Sequence, residues 1–163
     1  MDAVTLFTDG SVNTQTKIGY GAYLAVSDPE LSVEELSKQV KVKRFAPTSS
    51  TKLELQTLLW ALDDLQLLGR PLIVVTDSQN IIGLPARRAR LERNKFYSKK
   101  NTRLNHYALY LDFYRRIDQL DCELVQVQGH QASKHKNDID RLFTLVDRAS
   151  RNALREDARQ SAL

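Results

Sequence analysis

A chain of 163 residues (18.6 kDa) is the right size for one compact domain, 1–163, in which 153–163 read as the end of a last helix and a short tail. With 42% hydrophobic and 27% charged residues, 6 glycines, 4 prolines and a net charge of +4, the composition excludes a fibre, a low-complexity tract or a mainly disordered chain. The one cysteine, Cys122, excludes an internal disulfide; Met1-Asp2-Ala3-Val4 does not open a signal peptide, and no apolar run nears the roughly 18 residues of a membrane span, so a cytoplasmic protein without a membrane partner is expected.

In chain order, Val4 to Asp9 alternates as a strand and stops at Asp9-Gly10, and Tyr20 to Val26 is a second β-rich run. A polar stretch follows Asp28-Pro29-Glu30. Val40, Val42 and Arg44 then alternate with Lys41, Lys43 and Phe45 as a third strand, closed by Pro47. From Ser50 or Thr51 the period changes. Leu55, Leu58, Leu59, Leu62 and Leu65 form a helical stripe, and Gly69 and Pro71 end the helix. Leu72 to Thr76, nearly all apolar and β-branched, suits a strand buried on both faces.

Asp77 ends that strand, Ser78 to Leu84 reads as a short helix, and a basic segment, helical or not, follows Pro85. From Arg87 to Arg103 there are eight basic residues and one acid, a net +7, which leaves the rest of the chain at −3. Such a segment suits either polyanion docking or a solvated basic surface. Leu109, Phe113, Ile117 and Leu120 trace a helix opening near Asn105, and Glu123 to Val127 is a fifth strand. A polar loop, Gly129 to Asn137, precedes a last amphipathic helix through Ile139, Leu142, Phe143, Val146 and Ala153. The order is βββαβαβα.

Asp9 and Asp77 each follow an apolar strand, and strand ends are where an α/β sheet gathers ligand and catalytic groups. Glu54 stands in the first turn of the leucine-striped helix and Asp147 beside Val146 in the last one. If the four converge, their mutual repulsion calls for a proton or a cation, and hard oxygen donors suit Mg²⁺ or Mn²⁺. His106, His130, His135 and Cys122 lack the paired spacing of a zinc site.

Five segments, Phe7-Thr8-Asp9-Gly10-Ser11, Thr51-Lys52-Leu53-Glu54-Leu55, Val75-Thr76-Asp77-Ser78-Gln79, Val127-Gln128-Gly129-His130 and Val146-Asp147-Arg148-Ala149-Ser150, resemble in order the sequence blocks of type 1 ribonuclease H. The resemblance runs from about Thr5 to Leu154. It implies an α/β ribonuclease H-like fold, a mixed five-stranded sheet with helices on both faces, and endonucleolytic cleavage of the RNA strand of RNA/DNA hybrids, giving 5′-phosphate and 3′-hydroxyl ends.

The same resemblance makes Asp9, Glu54, Asp77 and Asp147 metal-binding carboxylates for Mg²⁺, with Mn²⁺ as an option, and His130 a loop residue assisting proton transfer or product departure. It puts Ser11, Asn13, Ser50, Thr51 and Gln79 at substrate-contact positions and gives the basic segment, with Arg87, Arg88, Lys95, Lys99 and Lys100, the place of a cationic protrusion that holds the hybrid. A monomer is expected. Asp140 rivals Asp147 as the fourth carboxylate, since the two lie on nearly the same helix face; the run Val-Asp-Arg-Ala-Ser favours Asp147. Two other functions stay open: a binding module of this fold without turnover, and another nuclease of the superfamily such as a junction resolvase or integrase-like enzyme.

Overall fold

The computed structural model of the chain describes residues 2–27, 31–128 and 137–162. Five strands, β1 (Val4–Asn13), β2 (Ile18–Val26), β3 (Lys41–Phe45), β4 (Leu72–Thr76) and β5 (Cys122–Gln126), form one sheet in the order β3-β2-β1-β4-β5. β3, β2 and β1 are antiparallel, and β1-β4 and β4-β5 are parallel. Among the described residues five helices cover it: α1 (Val33–Ser37), α2 (Ser50–Asp64), α3 (Gln79–Arg93), α4 (Tyr107–Asp118) and α5 (Asp138–Ser161).

Alternation along the central strands divides the core in two. Leu6 and Val74 point to the side where Leu55 and Leu58 of α2, Leu84 of α3 and Phe113 of α4 are buried. Phe7 and Val75, one residue on, face Leu36 of α1 and Phe143 and Val146 of α5. Each such fully buried side chain contributes roughly 1.5–3 kcal/mol, and β4, sandwiched between both layers, reads accordingly as an unbroken apolar run.

The βββαβαβα order holds, with differences that have local causes. β1 continues past Asp9 to Asn13 because β2 pairs with it over that whole length, while the β4 ladder stops at Phe7↔Val75. The polar stretch after β2 contains α1, opened by Ser32, whose side chain accepts from the Glu35 amide, and held by buried Leu36. α2 ends at Asp64, so Leu65 is an extended cap rather than part of the stripe.

Pro85 does not stop α3. A proline inside a helix costs about 3 kcal/mol, and here buried Ile81 and Leu84 offset it. Arg87 also spans the proline turn, donating to the Asn80 carbonyl (2.8 Å) and Oδ1 (2.7 Å). The basic segment is therefore helical as far as Arg93 and irregular beyond it. Among the described residues, no helix is long and apolar enough to cross a membrane.

Candidate functional site

Register brings the first two acids level. Phe7 and Val75 are partners in the parallel ladder, and Asp9 and Asp77 each stand two residues further on, past the last β1-β4 pair. β1 continues there supported by β2 alone, with Asp9 opposite Ala22. The chain after β4 turns into α3, whose cap is Ser78, not Asp77: Ser78 Oγ accepts from the Ile81 amide at 3.1 Å.

Glu54 arrives from the other layer because α2 lies unusually close to the sheet. Gly10 and Gly21 are paired across β1 and β2. A Cβ on Gly10 would stand 2.8 Å from Leu53 Cδ2, and one on Gly21 only 2.1 Å from Thr57 Oγ1. Thr57 cannot easily turn away, since it is buried and donates to the Leu53 carbonyl at 2.7 Å. The two glycines thus form a flat floor for the first turns of α2, and Thr8, Asp9, Glu54, Thr57, Thr76 and Asp77 line one narrow crevice.

Asp147 comes from α5 on the opposite face. Its carboxylate is within hydrogen-bonding reach of Asp9 and is ion-paired with Arg151 (Nε–Oδ1 2.9 Å) one turn later. Asp140 is elsewhere, in the first turn of α5, where its carboxylate accepts from the Asn137 amide (3.2 Å) while Asn137 Oδ1 accepts from the Asp140 amide (2.9 Å), a reciprocal cap. Of the two rivals, only Asp147 is next to Asp9.

Burial pushes the Asp9 carboxyl up to about 8, with the charges of Asp77 and Asp147 adding to the shift and the Gly10 amide opposing it. Asp9 therefore holds a proton at neutral pH and donates it toward Asp147. Glu54 is also raised, by burial and then by Asp77, against the opposing hydrogen bond that Ser78 Oγ donates to its Oε2 at 2.6 Å. These couplings tie all four acids into one electrostatic unit. Among the described residues, no group of three or more His, Cys, Asp or Glu side chains is arranged as it stands to hold a metal ion. The donor chemistry nevertheless fits one: hard carboxylate oxygens from three structural elements and the strand end, on side chains now turned to Ser78, Arg151 and each other.

The other predicted residues divide. Ser50 and Thr51 line a groove of about 450 Å³ between the starts of α2 and α4, together with Asn105, His106 and Tyr110. Burial, and then the charge of Lys52, lower the His106 pKa. The sequence reading gave Asn105 and His106 no site role; nothing in their spacing singles them out, because the groove exists only once α4 docks on α2. Gln79 is exposed at the first position of α3.

Ser11 is bound to the buried Ser150 (Oγ–Oγ 3.0 Å), and Asn13 Oδ1 accepts from the amides of Gln15 and Thr16, fixing the β1-β2 turn. Arg88 is committed elsewhere, pairing with Asp118 (2.5 and 2.7 Å) and Glu92 (2.8 Å), and Arg87 with Asn80. Lys95, Lys99 and Lys100 are exposed. His130 lies outside the described residues.

A sequence model of the RNase H family matches residues 1–150. Among solved structures the chain is similar to the foamy viral protease-reverse transcriptase, solved in complex with dsDNA, at 14% identity and a TM-score of 0.61, over 91% of this chain and 92% of that one. At that identity the likeness shows the fold. No curated protein sequence matches the chain. Over nearly all of its length, then, the chain belongs to the RNase H family and is a ribonuclease H enzyme.

Proposed function

We propose that this enzyme hydrolyses the RNA strand of RNA/DNA hybrids, leaving 5′-phosphate and 3′-hydroxyl ends, with Asp9, Glu54, Asp77 and Asp147 holding Mg²⁺ or Mn²⁺. The observation that carries the reading is the register that sets Asp9 level with Asp77, with Glu54 and Asp147 electrostatically coupled to that pair from opposite layers. Cations held there would supply an activated water and a counter-charge for the leaving oxygen.

The chain's own groups do the rest. Asp9 gives up its proton when the carboxylates engage, and Ser78 Oγ, bonded to both Glu54 and the Ile81 amide, orients Glu54. Ser50, Thr51 and Gln79 offer short polar side chains to 2′-hydroxyls of a shallow minor groove, where shape rather than base sequence distinguishes RNA from DNA. Lys95, Lys99 and Lys100 hold backbone phosphates. His130 assists proton transfer or product departure.

The test compares labelled RNA/DNA hybrid, duplex RNA and duplex DNA, each with Mg²⁺ or with EDTA. Cutting confined to the RNA of the hybrid, dependent on Mg²⁺ and abolished by Asp9→Asn, is expected. Equal cutting of duplex DNA would assign another nuclease of the superfamily, and tight hybrid binding without cutting would leave a binding module.

A further inference from the structure

Between α3 and α4 the chain builds a small closed tip. Tyr97 and Arg103 form an isolated antiparallel bridge, the Ser98 amide donates to the Thr102 carbonyl at 2.7 Å, and the Ser98 and Thr102 hydroxyls are 3.0 Å apart. Asn101 takes a left-handed conformation at the turn (φ 60°), with Lys99 and Lys100 exposed beside it. Phe96, 6% exposed and packed near Tyr114, anchors the base of the tip in the core.

On this tip the Arg103 guanidinium lies over two tyrosine rings, 4.5 Å from the centroid of Tyr97 and 4.7 Å from that of Tyr107. A bond from Arg103 to the Tyr97 hydroxyl (3.4 Å) adds to the stack. Tyr97 and Tyr107 nevertheless stay 39% and 37% exposed as residues. Among the described residues, no carboxylate pairs with Arg103, Lys99 or Lys100, in contrast to Arg88.

A ligand for this surface has to be anionic and has to present planar faces. A duplex presents only its phosphates to such a tip, because its base faces are already stacked on each other. An unpaired strand offers both phosphates and free bases, and aromatic rings on a cationic surface are the means by which single strands are bound with little regard to sequence. We infer that the Tyr97–Arg103–Tyr107 stack binds unpaired nucleotides of single-stranded nucleic acid, with Lys99 and Lys100 on the adjoining phosphates. This extends the hybrid reading, since a strand running past the end of a hybrid would meet both surfaces.

The experiment is anisotropy of a labelled oligothymidylate of roughly 10 nucleotides, a length within the span of a single-strand site, and of a blunt hybrid, titrated in EDTA with the full chain at several salt concentrations. Tyr97→Ala and Tyr107→Ala should each weaken single-strand binding by about 5-fold or more, with an unchanged salt slope and little effect on the blunt hybrid. Tyr97→Phe, which keeps the ring, should bind as wild type, and Lys99→Gln/Lys100→Gln should flatten the salt slope. The inference is overturned if both alanine variants, folded by circular dichroism, bind the oligothymidylate like wild type, or if they weaken the blunt hybrid as much. Cleavage of the blunt hybrid in Mg²⁺ is scored separately, so failure of the nuclease reading and failure of the stack are different results.

Discussion

Replacing Asp9 by asparagine should stabilise the metal-free protein while destroying its activity. Asp9 titrates near 3.8 in the unfolded chain and is pushed up to about 8 in the fold by burial, Asp77 and Asp147. Between those values the folded state binds a proton that the unfolded state releases, so stability falls as pH rises through this window. At roughly 1.4 kcal/mol per pH unit, about three units of the window lie below pH 7, a penalty of about 4 kcal/mol. Asparagine is neutral in both states, keeps an oxygen for the Gly10 amide and can donate toward Asp147. Recovery of even half the penalty would raise Tm by about 4–8 °C for a chain of this size. Thermal melts in EDTA at pH 7 and pH 4 test this: the gain should be clear at pH 7 and nearly absent at pH 4. A lowered Tm at pH 7, or the same gain at both pH values, would refute the electrostatic account of the cluster.

Gly21→Ala puts a methyl 2.1 Å from Thr57 Oγ1 and should lower stability by about 1–3 kcal/mol, with a fall in turnover as α2 and Glu54 lift away; Gly21→Ala/Thr57→Ala should recover part of both in melts and hybrid-cleavage assays. Asp147→Asn should cripple hybrid cleavage with little change in Tm. Asp140→Asn should leave cleavage near normal, any stability loss staying below about 1 kcal/mol because asparagine retains one arm of the reciprocal cap. In hybrid binding without metal, Lys95→Gln/Lys99→Gln/Lys100→Gln should reduce the salt slope by about 2–3, whereas Arg88→Gln should barely change it, because Asp118 and Glu92 already neutralise Arg88.

The sheet and the acids were readable from the chain because the signals are short in range. The alternation in Val4 to Asp9 and the apolar run Leu72 to Thr76 identify the two central strands, and an acid directly after each is a local pattern. What the pattern does not contain is support from the rest of the fold. Pro85 looks like a stop until Ile81, Leu84 and the Arg87–Asn80 bonds are seen on either side of it. α1 had a usable signal, Ser32 three residues before Glu35, a serine and glutamate at cap spacing. Neither the closeness of α2 to the sheet nor the groove containing Asn105 and His106 has one, since both depend on how layers dock.

Formal charge shows the same limit, and it bears on function. The segment from Arg87 to Arg103 counts as +7 in the sequence, yet the structure divides it at the end of α3. Within the helix, Arg87 and Arg88 are turned onto Asn80, Glu92 and Asp118, where they brace a helix that a proline interrupts. Past the helix, Lys95, Lys99, Lys100 and Arg103 project from a tip without acids. A polyanion responds to the charges a fold leaves unneutralised, so docking strength should follow the lysines and Arg103 of the tip together with the exposed Arg90 and Arg93 of α3, while Arg88, neutralised by Glu92 and Asp118, should matter to the helix alone.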